Sequence, residues 1–357
     1  MLDKSYFTKV LDLADYITKT WDPKMKWMWG EALFGYSLSL LDEHLRSDRY
    51  TKFLTDYCDY YVKNPPRVDQ SDTSAPALIT YQMYKKTGNE DYKKLTDRVL
   101  YYIKNEPRLI EDSVNHLGNS LEGKFYPKSI WVDSLMMFSV FPSHYAKDNQ
   151  DSEMMDIASR QPRVMSKYMQ DPNIKLWYHC YWTKAKTHYP RRKIFWGRGN
   201  GWVIASLPMI LENIGDHVEK ENIIKIFKET AEALLPYQRS DGAFETVFNK
   251  VGKTYRELSF TALVARGFLQ GHRMGLLDDQ YLESGLKAYK AVVDALIYEN
   301  DGIFMPEISG PTIPLPLFPY LGYKFIPRAK NWSFGLAALI FAAIEFDKIE
   351  KNKAKLK

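Results

Sequence analysis

Two kinds of helical pattern alternate along this chain, and the alternation constrains its fold more than any other feature. One kind is amphipathic. It begins with Phe7, Val10, Leu11, Ala14 and Ile17, returns through 47–63, and continues at Tyr92, Leu95, Val99 and Ile103. It recurs in 150–170, at Ile223, Phe227, Thr230 and Leu234, and at Leu282, Leu286, Tyr289, Val293 and Leu296. Spacings of three and four place each set on one helical stripe. The other kind is apolar on nearly all sides and rich in Gly, Ala and Ser, in segments starting at Trp29, Asp72, Trp131, Gly201, Leu258 and Asn331. A helix apolar all round must be buried all round. Six such helices inside six amphipathic ones predict an all-α (α/α)6 barrel, one domain spanning 1–357. The alternative left by the pattern alone is an open helical array. In a closed ring the six inner helices start on one rim, where a binding cleft is expected. Long segments at 106–130, 172–200 and 299–330 are expected to serve it. A short strand pair is expected in 244–258, around Asn249-Lys250.

The rest of the composition narrows the function. The 357 residues include only two cysteines, Cys58 and Cys180, which excludes zinc ribbons, iron–sulfur clusters and disulfide scaffolds. The formal charge of +5 is too small and too scattered for nucleic-acid binding; a mild positive balance suits a small anionic substrate. Aromatic residues reach 15% of the chain, and flat apolar rings suit sugar clefts as well as cores. The opening MLDKSYFTKVLDLADYITKT contains acids and no apolar core of a signal peptide. No run approaches the length of a membrane span. These features point to the cytoplasm, or to the periplasm had a leader been removed, and leave the oligomeric state open.

Several residues could carry chemistry. Asp133, in Trp131-Val132-Asp133-Ser134, stands at the start of an apolar segment. There a carboxylate is either an N-terminal cap or an acid with a raised pKa beside Trp131. Asp72, with Asp69 close by, opens the second apolar segment in a run rich in capping residues. In a closed barrel Asp72 and Asp133 share a rim, and paired carboxylates perform acid/base work on sugars. In Phe195-Trp196-Gly197-Arg198-Gly199-Asn200-Gly201-Trp202, Arg198 could grip a carboxylate and Trp202 could stack on a ring; a tight turn with Arg198 on a structural acid is the other reading. His179 and, more weakly, His116 are candidate polar contacts. No second ligand stands at metal spacing. Trp27, Trp29 and Trp332 add aromatic rim positions.

Taken together, Trp27-Met28-Trp29-Gly30, Tyr126-Pro127, Trp131-Val132-Asp133, Tyr178-His179, the block from Phe195 to Trp202, Glu257-Leu258-Ser259, and Gly335 with its Ala-rich helix resemble glycoside hydrolase family 105, the unsaturated rhamnogalacturonyl hydrolases, related to the family 88 unsaturated glucuronyl hydrolases. The resemblance implies an (α/α)6 barrel and hydration of a 4,5-unsaturated uronic acid at the non-reducing end of lyase-generated oligosaccharides, of rhamnogalacturonan or ulvan type. It implies Asp133 as the acid that protonates C4 and then assists water at C5, Asp72 as the second acid with Asp69 competing for that role, and Trp29, Trp131, His179, Arg198 and Trp202 as substrate contacts. It implies no metal and no organic cofactor. The chain departs from the family pattern where Cys180-Tyr181-Trp182-Thr183 follows the Tyr-His pair. It departs again where a basic His188-Tyr189-Pro190-Arg191-Arg192-Lys193 replaces an acidic loop. Both changes fall at the outer subsite, and the basic loop suggests a more anionic, sulfated leaving sugar. The competing functions are a sugar epimerase or isomerase on the same barrel, and a non-catalytic carbohydrate-binding protein.

Overall fold

The computed structural model describes residues 2–299 and 302–355. Twelve helices form the frame. The outer ones are α1 (Ser5–Thr20), α3 (Thr51–Lys63), α5 (Glu90–Asn105), α7 (Ser152–Met169), α9 (Lys220–Leu234) and α11 (Asp279–Asp294). The inner ones are α2 (Trp29–Leu45), α4 (Ala77–Thr87), α6 (Val140–Asn149), α8 (Gly197–Leu211), α10 (Leu258–Arg273) and α12 (Ser333–Lys355). Each inner helix packs against its inner neighbours, and α12 returns to α2, so the ring closes. The open array is thereby excluded and the (α/α)6 barrel is observed. Every residue of α8 is buried, including Arg198 and Asn200 in its first turn, and from Trp202 on its sequence is almost wholly apolar. On α9, by contrast, Ile223, Ile226, Phe227, Thr230 and Leu234 are buried on one stripe.

Close approach of inner helices depends on residues without side chains. A Cβ built on Gly267 of α10 would lie 2.4 Å from the carbonyl oxygen of Ile204 in α8. A backbone atom cannot swing aside, so only glycine fits at this crossing.

Two expected boundaries differ. Trp131 does not open the third inner helix. It ends strand β1 (Ser129–Trp131), which pairs antiparallel with β2 (Cys180–Trp182), itself paired with β3 (Thr187–Tyr189). The helix starts later, through a wide π-turn at Leu135–Ser139 that leads into α6. Such turns recur at functional sites. The expected strand pair at 244–258 is reduced to a single bridge, Glu245 with Arg256. The Glu245 carboxylate accepts from the backbone N–H groups of Gly252 and Thr254, so a side chain holds the loop where ladder bonds would otherwise form.

Replacing Gly267 with Ala is expected to lower unfolding free energy by about 1–3 kcal/mol, the usual cost of overpacking. Urea denaturation measures it, with Gly252→Ala, which meets no neighbour, as the comparison for strain at positive φ.

Candidate active site

The inner helices start on one rim, and most of the sequence candidates gather there. The turn Ser71–Ser74 precedes α4 and carries Asp72. The β1–α6 link carries Asp133, β2 begins just after His179, and α8 begins at Gly197. The three-stranded sheet aligns Trp131 with Cys180 and Cys180 with Tyr189, which brings the 106–130 and 172–200 segments onto the rim.

Asp133 is not a helix cap. Its backbone carbonyl accepts from Met136 and Met137, but Oδ2 of its carboxylate is buried without a hydrogen-bond partner. That oxygen lies 3.4 Å from Nε2 of His179, another buried atom without a partner. His179 is wedged between Trp196, stacked at 4.2 Å, and the edge of Trp131 at 5.0 Å, and its Nδ1 lies 3.0 Å from the Tyr323 hydroxyl. Trp131 stacks at 4.5 Å on His116 with its other side. His116 bonds Ser134 through Nδ1 at 2.8 Å, and its Nε2 lies 3.5 Å from Asp72 Oδ1. One indole thus separates two histidine–carboxyl pairs.

The charges divide unequally. Burial, then the negative charge of Asp133 and of Glu122, raises Asp72 well above the carboxylate range. Burial also pushes Asp133 upward, but His179, His116 and Arg198 outweigh it and hold its pKa below the ordinary value. The expected raised pKa therefore belongs to Asp72 and not to Asp133. The negative charge of Asp133 adds to the burial of Asp72, so of the two carboxyls Asp72 is the one whose acid form is favoured. Burial lowers His179, and it lowers His116 to about 4, so both imidazoles are neutral near pH 7.

Other candidates take structural places. Arg198 is fully buried. Its Nη1 donates to the Ser309 carbonyl and hydroxyl and its Nη2 to Gly310 O and Thr312 Oγ1; Glu257 lies 4.0 Å away. With both terminal nitrogens bound, Arg198 is not free for the two-pronged grip on a substrate carboxylate expected from sequence. Among the described residues, Nε finds no partner. Trp202 is also fully buried and touches Trp29 edge-on at 5.9 Å, so it has no open face for sugar stacking. Its Nε1 is buried without a partner. Trp29 is partly exposed and lies on Phe334 at 4.7 Å. Asp69 pairs with Arg67 at 2.7 Å; Asp72, not Asp69, is the acid beside His116 and coupled to Asp133. Trp27 donates to Thr73 O from a buried position. Among the described residues, no three His, Cys, Asp or Glu side chains gather to hold a metal ion.

Tyr323, Ser71 and Ser134 were not legible as site residues. Tyr323 lies on a short helix, Pro319–Phe325, in a stretch without periodicity, and meets His179 from 144 residues away. Glu257 was visible as a motif but without a role. Its carboxylate accepts from Ser259 and Phe260 at the start of α10 and from Ser309 N.

Comparison with known proteins agrees with this architecture. The profile of Glycosyl Hydrolase Family 88 matches residues 3–350. An unsaturated rhamnogalacturonyl hydrolase, YesR, of Bacillus subtilis (strain 168) is 25% identical over 349 residues, 96% of each chain. An unsaturated 3S-rhamnoglycuronyl hydrolase of Alteromonas sp. (strain LOR) is 29% identical over 184 residues, 49% of this chain and 44% of that protein. A family 105 glycoside hydrolase structure from C. acetobutylicum ATCC 824 superposes with TM-score 0.83 at 22% identity, covering 97% of this chain and 100% of its own. The unsaturated glucuronyl hydrolase of Bacillus sp. GL1 superposes with TM-score 0.75 at 14% identity, over 96% and 97% of the two chains.

Two outcomes follow from the charges. Arg198→Met is expected to cost about 3–5 kcal/mol in urea unfolding, because it strips one partner from a buried network. The raised pKa of Asp72 means that the fold favours its protonated form. Its stabilising contribution is complete at low pH and is lost as pH rises through the folded pKa. Asp72→Asn should remove that decline, seen as a flatter dependence of Tm on pH across the same range.

Proposed function

The chain belongs to glycosyl hydrolase family 88, and from that premise we propose that it removes a 4,5-unsaturated uronic acid from the non-reducing end of lyase-generated oligosaccharides by adding water across the C4=C5 enol-ether bond. The observation that carries this reading is the pairing of each rim carboxyl with a buried histidine beside Trp131, Asp133 Oδ2 at 3.4 Å from His179 Nε2 and Asp72 Oδ1 at 3.5 Å from His116 Nε2, with the proton affinity of Asp72 raised and that of Asp133 lowered. Hydration of an enol ether needs a proton at C4 and a base for the water that attacks C5. Asp133, whose Oδ2 is free of other partners, is the group that passes both protons. Asp72 is the reservoir that loads it when the negative uronate enters and raises its proton affinity. The hydroxyl added at C5 makes a hemiketal. The ring opens to a ketone, and the hemiacetal left at C1 releases the leaving sugar. Trp131, Trp29 and His179 frame the reacting ring. Arg198 contributes positive field from behind, not a direct grip.

The leaving sugar extends along the sheet. Tyr189 lies two strands from Trp131, roughly 10 Å at ordinary strand spacing. It borders a cleft of about 630 Å³ that Trp182, Arg191, Arg192, Phe318 and Tyr320 also line. Trp182 and Tyr189 stack at 4.1 Å and offer an apolar wall beside two exposed arginines. This supports a rhamnose-containing, sulfated partner, the ulvan type over the plain rhamnogalacturonan type. The names of the two relatives, rhamnogalacturonyl and 3S-rhamnoglycuronyl hydrolase, share a rhamnose-containing substrate, which fits the rhamnose part of this reading.

Mixing the protein with unsaturated disaccharides and following the ultraviolet absorbance of the conjugated enol ether tests the reaction. Wild type is expected to bleach it, and Asp133→Asn to slow bleaching by about 10²–10⁴-fold. No bleaching of any substrate by folded wild type would move the weight to a sugar isomerase or a binding protein. Arg191→Ala with Arg192→Ala is expected to reduce the preference for sulfated over unsulfated disaccharides; an unchanged preference would overturn the sulfated assignment.

A further inference from the structure

The two histidines beside Trp131 are chemically alike in sequence, but the structure treats their protons differently. His116 Nδ1 faces Ser134 Oγ at 2.8 Å. The Ser134 hydroxyl already donates to Ser71 Oγ at 3.2 Å, so its proton is committed. The short contact is then a bond only if Nδ1 carries hydrogen and donates. In a neutral imidazole Nε2 is therefore a bare acceptor, and it faces Asp72 Oδ1 at 3.5 Å. A lone pair opposed to an ionised carboxylate repels it; opposed to a carboxylic acid it attracts the acid hydrogen, which stays on the oxygen.

His179 is the reverse. Its Nδ1 faces the Tyr323 hydroxyl at 3.0 Å, and among the described residues that hydroxyl makes no other side-chain or backbone hydrogen bond. Tyr323 is fully buried, and burial holds the phenol protonated. Its hydrogen points to Nδ1, which must then be the bare acceptor. The neutral ring carries its hydrogen on Nε2, 3.4 Å from Asp133 Oδ2. Both of these atoms are buried and have no other partner. A donor facing a carboxylate stabilises its ionised form.

We propose that His116 and His179 are fixed in opposite tautomers, Nδ1–H and Nε2–H, and that this opposition favours the acid form of Asp72 and the carboxylate form of Asp133. Tyr323 and Ser134 are the positioning residues that set the two rings. Trp131, lying between them, keeps the rings apart so that neither exchanges its role with the other. For catalysis the inference rests on the hydration reading above; the tautomers themselves belong to the resting protein and are measurable without substrate.

The test is a long-range proton–nitrogen correlation spectrum of full-length protein labelled with ¹⁵N in histidine, near pH 7 and free of ligand. His116→Asn and His179→Asn assign the two rings by loss of signal. One ring in the Nδ1–H form and the other in the Nε2–H form, as assigned, supports the inference. Two rings in the same tautomer, or either ring doubly protonated, overturn it. Tyr323→Phe is expected to release His179 into a mixture of tautomers, leave His116 unchanged, and lower kcat by about tenfold, a fraction of what a positioned acid–base group contributes, with little change in KM. An unchanged His179 spectrum in that variant also overturns the inference; should the variant fail to fold, the wild-type spectrum decides. The assigned tautomers in a protein that bleaches no unsaturated disaccharide would count against the hydration reading and leave this one standing. Bleaching with identical tautomers would do the opposite.

Discussion

A buried guanidinium holds the rim together. Removing a charge of this kind from water costs several kcal/mol unless its donors are met, and Arg198 meets that demand with the 309–312 segment, the nearby Glu257 carboxylate, and the faces of Trp196 and Phe334 at 4.9 and 4.5 Å. Those partners come from the starts of α8, α10 and α12 and from a loop that covers them. The inner ring is closed by helix packing, and this one side chain ties the starts of three of its six helices to the 309–312 segment. Asp133 also lies in its field, behind the larger effects of His179 and His116, so the group that secures the scaffold adds to the lowered proton affinity of Asp133.

The cleft that results is polar in a selective way. Buried backbone groups in the barrel are bonded in helices, yet Asp133 Oδ2, His179 Nε2, Arg198 Nε and Trp202 Nε1 are all without partners. Buried polar atoms are rarely left unsatisfied without a functional reason. Four of them gather around one rim, where the candidate site residues lie.

Much of this was legible in the sequence because helix periodicity is a local signal. The twelve helices, their inner and outer order and the rim location of Asp72 and Asp133 follow from residues three and four apart. What local reading could not supply was the purpose of the glycine-rich block. Its spacing around Arg198 reads as a loop opened toward a ligand, but Gly197 is bare because a Cβ would lie 2.4 Å from Phe260, and the arginine turns inward. The start of the third inner helix was misplaced for a related reason: Trp131 and Val132 are apolar enough for a buried helix, and only pairing with Cys180 and its neighbours makes 129–131 a strand. Tyr323 carried no signal at all, since its meaning depends on a histidine far along the chain.

That distance has a consequence for the life of the protein. Asp72, Asp133, His116 and His179 all lie within the first 179 of 357 residues, but Ser309, Thr312 and Tyr323, which fix Arg198 and His179, come more than a hundred residues later. The ring itself closes only when α12 meets α2. During synthesis the acid pair therefore exists without the parts that order it. A chain ending before residue 309 would hold Asp72, Asp133, His116 and His179 without the residues that fix Arg198 and His179.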